Sequence, residues 1–208
     1  EECSRFDADQ QARWGHMATK LRLWQQLAYD KVLYLDADTV LTSDASAVFA
    51  TETFAAEKAR YHSYFNAGVM LLQPAQTTYE ALLGVGKTEH KKIFNNVVDC
   101  TEQALLNTYY DGSAGREVTM LNVGRADVVA DWQSASAPFA VHWITHACPK
   151  PWVVADGDVA EVPAHCDKAI YSYWLRVWGR LTYSSKDTSS EHSFGAREAA
   201  RSSPRRVA

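Results

Sequence analysis

Lys31-Val-Leu-Tyr-Leu-Asp-Ala-Asp-Thr-Val40 runs from an apolar segment into a pair of aspartates without a break. Lys31–Leu35 is short and apolar, which predicts a strand buried in a parallel sheet under helices. Asp36 and Asp38 then stand where the strand leaves the sheet, the end at which open α/β sheets bind ligands. Aspartates one residue apart project to the same side of an extended backbone, so both carboxylates can converge on one hard cation. Such oxygen donors suit Mn²⁺ or Mg²⁺, which keep positions open for phosphate oxygens. The blander alternative is that Asp36 caps the turn and Asp38 is solvated.

Upstream, Met17, Leu21, Trp24, Leu27 and Ala28 recur at three- and four-residue steps, predicting an amphipathic helix from Trp14 to Tyr29. Downstream, Gly68–Gln73 predicts a second buried strand closed by Pro74, and Thr77 to Gly84 a helix. Glu102–Tyr109 predicts another helix, with Ala104, Leu105 and Tyr109 turned inward. Short strands are expected at Val118–Leu121, Val128–Ala130 and Phe139–Trp143, and a last amphipathic helix from Asp167 to Arg180. This alternation predicts an α/β layer fold with a mainly parallel sheet. Residues 1–182 are expected to form one domain. Residues 183–208, rich in Ser, Arg, Glu and Ala without periodicity, are expected to be a disordered basic tail.

The 208 residues can hold one domain with a sizeable core. The net charge is -4 and the basic cluster (Arg197, Arg201, Arg205, Arg206) is terminal, so a nucleic-acid groove of massed Lys and Arg is not indicated. No apolar run reaches the length of a transmembrane helix, and Glu1-Glu2-Cys3 does not open a signal peptide. Cys3, Cys100, Cys148 and Cys166 are widely spread; they are free thiols or one or two bridges, and spacing does not decide.

Thr19-Lys-Leu-Arg-Leu-Trp-Gln-Gln-Leu-Ala-Tyr-Asp-Lys-Val-Leu-Tyr-Leu-Asp-Ala-Asp-Thr-Val-Leu41 closely resembles the Asp-x-Asp region of glycosyltransferase family eight, the glycogenin-like nucleotide-diphospho-sugar transferases. Phe65-Asn-Ala-Gly-Val-Met70, Glu102-Gln-Ala-Leu-Leu-Asn107, and Val141-His-Trp143 leading to Lys150-Pro-Trp152 keep the family's order. The resemblance implies the GT-A fold, a Rossmann-like α/β sandwich. It also implies a Mn²⁺-dependent, retaining transfer of a hexose, commonly glucose, from a UDP-sugar. By the same match Asp36 and Asp38 are the metal pair, Asp36 also lies against the donor, and His142 completes the metal site. Lys150 and Lys20 match donor-binding lysines, with Lys150 on the diphosphate. Asn66 and Gly68 match the segment near the transferred sugar, and Glu102 and Gln103 match an Asp-Gln pair that faces it.

Each residue also has a plainer reading. His142 follows an apolar run and reads as a hydrogen-bonded core residue; Lys150 reads as a surface lysine beside a Pro-Trp turn. Asn66 and Gly68 read as a turn entering a strand, Glu102 as a first-turn helix charge, and Trp152 as a packing residue. Three departures from the family pattern stand out. Only 35 residues precede Asp36, so the first strand or strands and the uridine pocket are expected to be missing from this chain. Glu102 replaces the usual Asp. His142 and Lys150 are eight positions apart where six is usual, which makes His146 a competing ligand.

Two other functions fit parts of the sequence. Leu33-Tyr-Leu-Asp-Ala-Asp-Thr-Val40 satisfies the first motif of haloacid-dehalogenase phosphatases, with Asp36 as nucleophile and Asp38 as acid/base, and Asp156-Gly-Asp158 imitates their late acidic motif. A donor-deficient domain would instead serve as a scaffold or carbohydrate-binding subunit. The acceptor, whether glycan, protein or lipid, is not legible, and family relatives occur in both cytosol and Golgi lumen.

Overall fold

The computed structural model describes residues 18–59, 64–88, 101–112, 115–128, 136–144, 147–154 and 159–187. Among these the strands are β1 (Val32–Leu35), β2 (Thr39–Leu41), β3 (Phe54–Lys58), β4 (Phe65–Leu72), β5 (Val118–Leu121), β6 (Val123–Arg125) and β7 (Ala140–His142). The α-helices are α1 (Gln76–Thr88), α2 (Glu102–Tyr109) and α3 (Lys168–Asp187). The described residues divide into two compact units, one within 18–36 and 44–122, the other within 37–43 and 123–187.

The first unit carries a sheet of order β1-β4-β3-β5. β4 is buried at every residue but Asn66, as a central strand should be, and both its neighbours run antiparallel to it. Only β5 lies parallel to its partner, β3. In the second unit β2-β7-β6 has one antiparallel and one parallel pairing. The mainly parallel sheet expected from the sequence is therefore corrected to a mixed one. A continuous apolar run reports that both faces of a strand are covered, not which way its neighbour runs.

The predicted helix from Trp14 to Tyr29 is also corrected. Within the described residues it is a 3₁₀ helix, Ala18–Gln25. Three residues per turn stack Leu21 over Trp24 on one side, and both are buried while Leu27 is exposed. Trp24 sits in an aromatic cluster where Phe54 stacks on Tyr110 at 4.0 Å between ring centroids and the Trp24 indole donates to the Tyr110 hydroxyl at 3.2 Å. Burial raises the pKa of that phenol strongly, so it stays protonated.

Three local features of the first unit shape β4. Its pairing with β3 slips between Ala56 and Glu57, so Ala67, Gly68 and Val69 fall between the paired positions. β1 ends with Leu35 opposite Val69, and the Asp36 N–H then donates to the Gly68 carbonyl at 2.7 Å. Beyond that point side-chain amides of α2 become the partners of the β4 backbone. Asn107 clamps Phe65, accepting from its N–H and donating to its carbonyl, both at 2.9 Å, while Gln103 accepts from the Ala67 N–H at 3.0 Å. α2 starts where predicted, with the Thr101 hydroxyl accepting from the Ala104 N–H as an N-cap.

The second unit packs Val40, Val141, Trp143, Ile170 and Tyr171 around a Cys148–Cys166 disulfide. The bridge resolves two of the cysteines; Cys3 and Cys100 lie outside the described residues. Gly124 lets β6 approach the segment before β7, since a Cβ there would stand 2.7 Å from a Pro138 ring carbon. The strand expected at Val128–Ala130 is corrected to β6, just upstream; Val128 itself lies in the turn that follows, and residues 129–130 lie outside the described residues. α3 runs to Asp187, past Arg180 where the apolar pattern fades, and the rest of the expected tail lies outside the described residues. Among the described residues no helix is long and apolar enough to cross a membrane.

Candidate functional site

In the first unit Lys20 is the centre of an ionic network. Its ammonium lies 2.9 Å from Asp36 Oδ1 and 3.0 Å from Glu102 Oε1, with the Ala67 carbonyl at 3.5 Å. It also stands over the Tyr34 ring, 5.3 Å from the centroid, and the Tyr34 hydroxyl donates to Asp36 Oδ1 at 2.6 Å. Burial alone would lower the Lys20 pKa, but Glu102 and Asp36 together raise it above the ordinary lysine value. The Glu102 carboxylate is almost wholly buried, and its Oε2 meets no hydrogen-bond donor among the described residues. A buried acceptor left without a donor is costly.

The structure thus brings together Lys20, Asp36, Asn66, Gly68, Glu102 and Gln103. Asn66 Oδ1 accepts from the Gly68 N–H at 2.8 Å and Gly68 accepts from Asp36. The plain reading of Asn66 and Gly68 as a turn entering a strand is corrected, because both residues lie within β4 and Gly68 does not take a positive φ.

In the second unit the pairing of β2 with β7 sets Thr39 opposite His142, and the Trp143 N–H donates to the Asp38 carbonyl at 2.9 Å. That register brings His142 Nε2 to 3.1 Å from Asp38 Oδ1, with the imidazole buried. The Lys150 ammonium bonds the other carboxylate oxygen of Asp38 and the Trp143 carbonyl. Burial would raise the Asp38 pKa, but hydrogen bonds and charge from His142 and Lys150 hold it well below the usual carboxylate range. The longer spacing from His142 to Lys150 does not keep the lysine from Asp38. His146 lies outside the described residues, as do Asp156 and Asp158.

Lys150 opens a 3₁₀ turn, Pro151–Val153, in which the Val153 N–H donates to the Lys150 carbonyl. Pro151 is the buried anchor, and Trp152, expected to pack, is 52% exposed. Sequence reasoning missed Tyr34, Asn107 and Tyr171. Tyr34 had a signal, because a residue two before Asp36 shares its face on an extended strand; Asn107 and Tyr171 had none without tertiary structure.

As a donor set, two carboxylates and one imidazole nitrogen suit Mn²⁺ or Mg²⁺, and the depressed Asp38 pKa keeps that carboxylate ionised for such a role. Asp36, Asp38 and His142 are thus a donor set that a divalent cation could use.

No protein-family model matches the chain. It is 34% identical over 106 residues to glycogenin-1 of Mus musculus, a match covering 50% of this chain and 30% of that protein. It is 34% identical over 176 residues to putative UDP-glucuronate:xylan alpha-glucuronosyltransferase 5 of Arabidopsis thaliana, covering 81% of this chain and 29% of that one. The match spans less than a third of the length of either relative. Among solved structures, the glycosyltransferase GlyE of Streptococcus pneumoniae TIGR4 superposes with a TM-score of 0.56 at 18% identity, over 86% of this chain and 48% of that one. The bifunctional glycosyltransferase WbbM superposes with a TM-score of 0.50 at 17% identity, over 72% and 34%.

The fold is thus the Rossmann-like α/β fold of GT-A glycosyltransferases. By sequence the chain is similar to glycogenins over about half of its own length.

Proposed function

We propose that the chain is the donor- and metal-binding part of a retaining glycosyltransferase that moves a hexose from a UDP-sugar to a hydroxyl on a glycan, protein or lipid acceptor. The observation that carries the reading is Asp38, met by an imidazole on one carboxylate oxygen and by the Lys150 ammonium on the other. Asp36, Asp38 and His142 would hold Mn²⁺ or Mg²⁺, which when bound supplies a Lewis acid that draws charge off the diphosphate. Lys150 and Lys20 add fixed positive charge for the phosphates, and preorganised charge of this kind is usually the largest catalytic contribution.

By the family match Glu102, Gln103 and Asn66 face the transferred sugar, with Gln103 and Asn66 holding the β4 backbone beside it. The bond from the anomeric carbon to the β-phosphate oxygen breaks. A bond to the acceptor oxygen forms on the same face, and the acceptor proton passes to the leaving phosphate oxygen.

The decisive test compares wild type and Asp38→Ala for Mn²⁺ binding by electron paramagnetic resonance and for UDP release from UDP-glucose and UDP-glucuronate. The variant should lose both; wild-type sugar transfer by it would sink the proposal. Phosphate release from p-nitrophenyl phosphate without UDP release would point instead to the phosphatase reading. Absence of any thermal shift with Mn²⁺ plus UDP would point to a scaffold, since a ligand that binds the folded state must stabilise it.

A further inference from the structure

Residues 147–149 are tied to the start of α3 at three successive positions. His165 Nε2 lies 2.8 Å from the Ala147 carbonyl oxygen, Cys148 is bonded to Cys166, and the Tyr171 hydroxyl donates to the Pro149 carbonyl. The next residue is Lys150, whose ammonium reaches Asp38 and the Trp143 carbonyl. Tyr171 is fully buried, and its ring meets Trp143 edge-on with centroids 5.5 Å apart. It therefore holds both the carbonyl just before Lys150 and the residue whose carbonyl the ammonium bonds.

A lysine on an untethered loop would have to order its backbone and its long side chain when a ligand arrives, and that entropy subtracts from affinity. Here the backbone of residues 147–149 is fixed beforehand, twice by side-chain hydrogen bonding and once by a covalent bond. We infer that Tyr171 and the Cys148–Cys166 disulfide are positioning elements for Lys150, which makes affinity for a donor diphosphate depend on that disulfide. The inference rests on the assignment of Lys150 to the diphosphate in the proposed function.

The test titrates UDP, in the presence of Mn²⁺, into the full chain by calorimetry. Wild type, wild type treated with a phosphine reductant, C148A/C166A, Y171F, K150M and the Y171F/K150M double variant are compared. C148A/C166A and Y171F should each weaken UDP about 3- to 10-fold, the range of one lost intramolecular tether, with Mn²⁺ affinity at the wild-type level. Reductant should weaken wild type but leave C148A/C166A where it is, which separates this bridge from Cys3 and Cys100. Y171F should add little in the K150M background, because a residue that acts through Lys150 has nothing left to act on. A purely structural role for Tyr171 would not give that non-additivity.

Wild-type UDP affinity in C148A/C166A and Y171F, alongside weakened binding in K150M, would overturn the inference, and so would full additivity of Y171F with K150M. If C148A/C166A does not fold, Y171F and its double variant with K150M still decide. Wild-type UDP affinity in K150M would instead remove the assignment of Lys150, and this inference with it.

Discussion

In the first unit the Asp36 carboxylate is met by Tyr34 and Lys20, with Glu102 sharing the lysine. In the second unit Asp38 is met by Lys150 from a segment that a disulfide fastens to the neighbourhood of α3. The sheets behind them differ in the same direction. The first has four strands, one of them eight residues long; the second has three strands of three residues each. Small sheets bury too little apolar surface to fix a loop by packing, and small folds make up the shortfall with covalent staples. Where the core is larger, an ionic network suffices.

The largest expected effect tests whether the two aspartates serve one ion. Asp36→Ala and Asp38→Ala should each abolish Mn²⁺ binding and lower UDP release more than about 100-fold, beyond the cost of disturbing a ligand's outer partners. If one variant retains Mn²⁺, the two regions do not share a cation. Next, Trp24→Ala should cost about 3–5 kcal/mol in urea denaturation, as large-to-small changes in a packed core do. A much smaller cost would mean that the first unit does not rest on its aromatic cluster.

Opening the Cys148–Cys166 bridge, which spans 18 residues, should cost about 3 kcal/mol, an estimate from loop-closure entropy. Hydrogen exchange should then quicken in β7 and α3 and not in β4; equal quickening in β4 would erase the contrast. Tyr34→Phe should cost about 1 kcal/mol, the value of one hydrogen bond when Lys20 still pairs with Asp36.

The smallest effects are in pH dependence, and they carry opposite signs. The raised Lys20 pKa stabilises below the unfolded lysine value of about 10.4, and that contribution is lost as pH climbs through the folded value. The lowered Asp38 pKa stabilises above the unfolded value of about 3.9, and that contribution is lost as pH falls through the folded value. Lys20→Met should therefore flatten the alkaline limb of stability and Asp38→Asn the acid limb; the converse pattern would refute both assignments.

Much of this was legible in the sequence for a physical reason: periodicity and caps are local. β1, β4 and α2 follow from apolar runs and helical periodicity, and the strand-end aspartates follow from β1. Strand direction was not legible, because Val32–Leu35 and Phe65–Leu72 would be equally apolar beside a parallel neighbour. β3 was missed because Phe-Ala-Ala-Glu-Lys lacks branched residues and places a charged Glu57 inside, where it is buried. Lys20 and Glu102 were named through family likeness, and the network they share with Asp36 required tertiary structure. The same holds for Cys148 and Cys166, since four spread cysteines allow several pairings.

Past the end of β1, where β4 has also slipped against β3, the backbone of Phe65 and Ala67 is held by the amides of Asn107 and Gln103. That stretch of strand thus takes its alignment from a helix. Drift in the sequence of β3 would still be felt at Asn66, which pairs with Glu57, but the Ala67 backbone leans on Gln103, so replacing a single amide on α2 would loosen a backbone about 40 residues upstream.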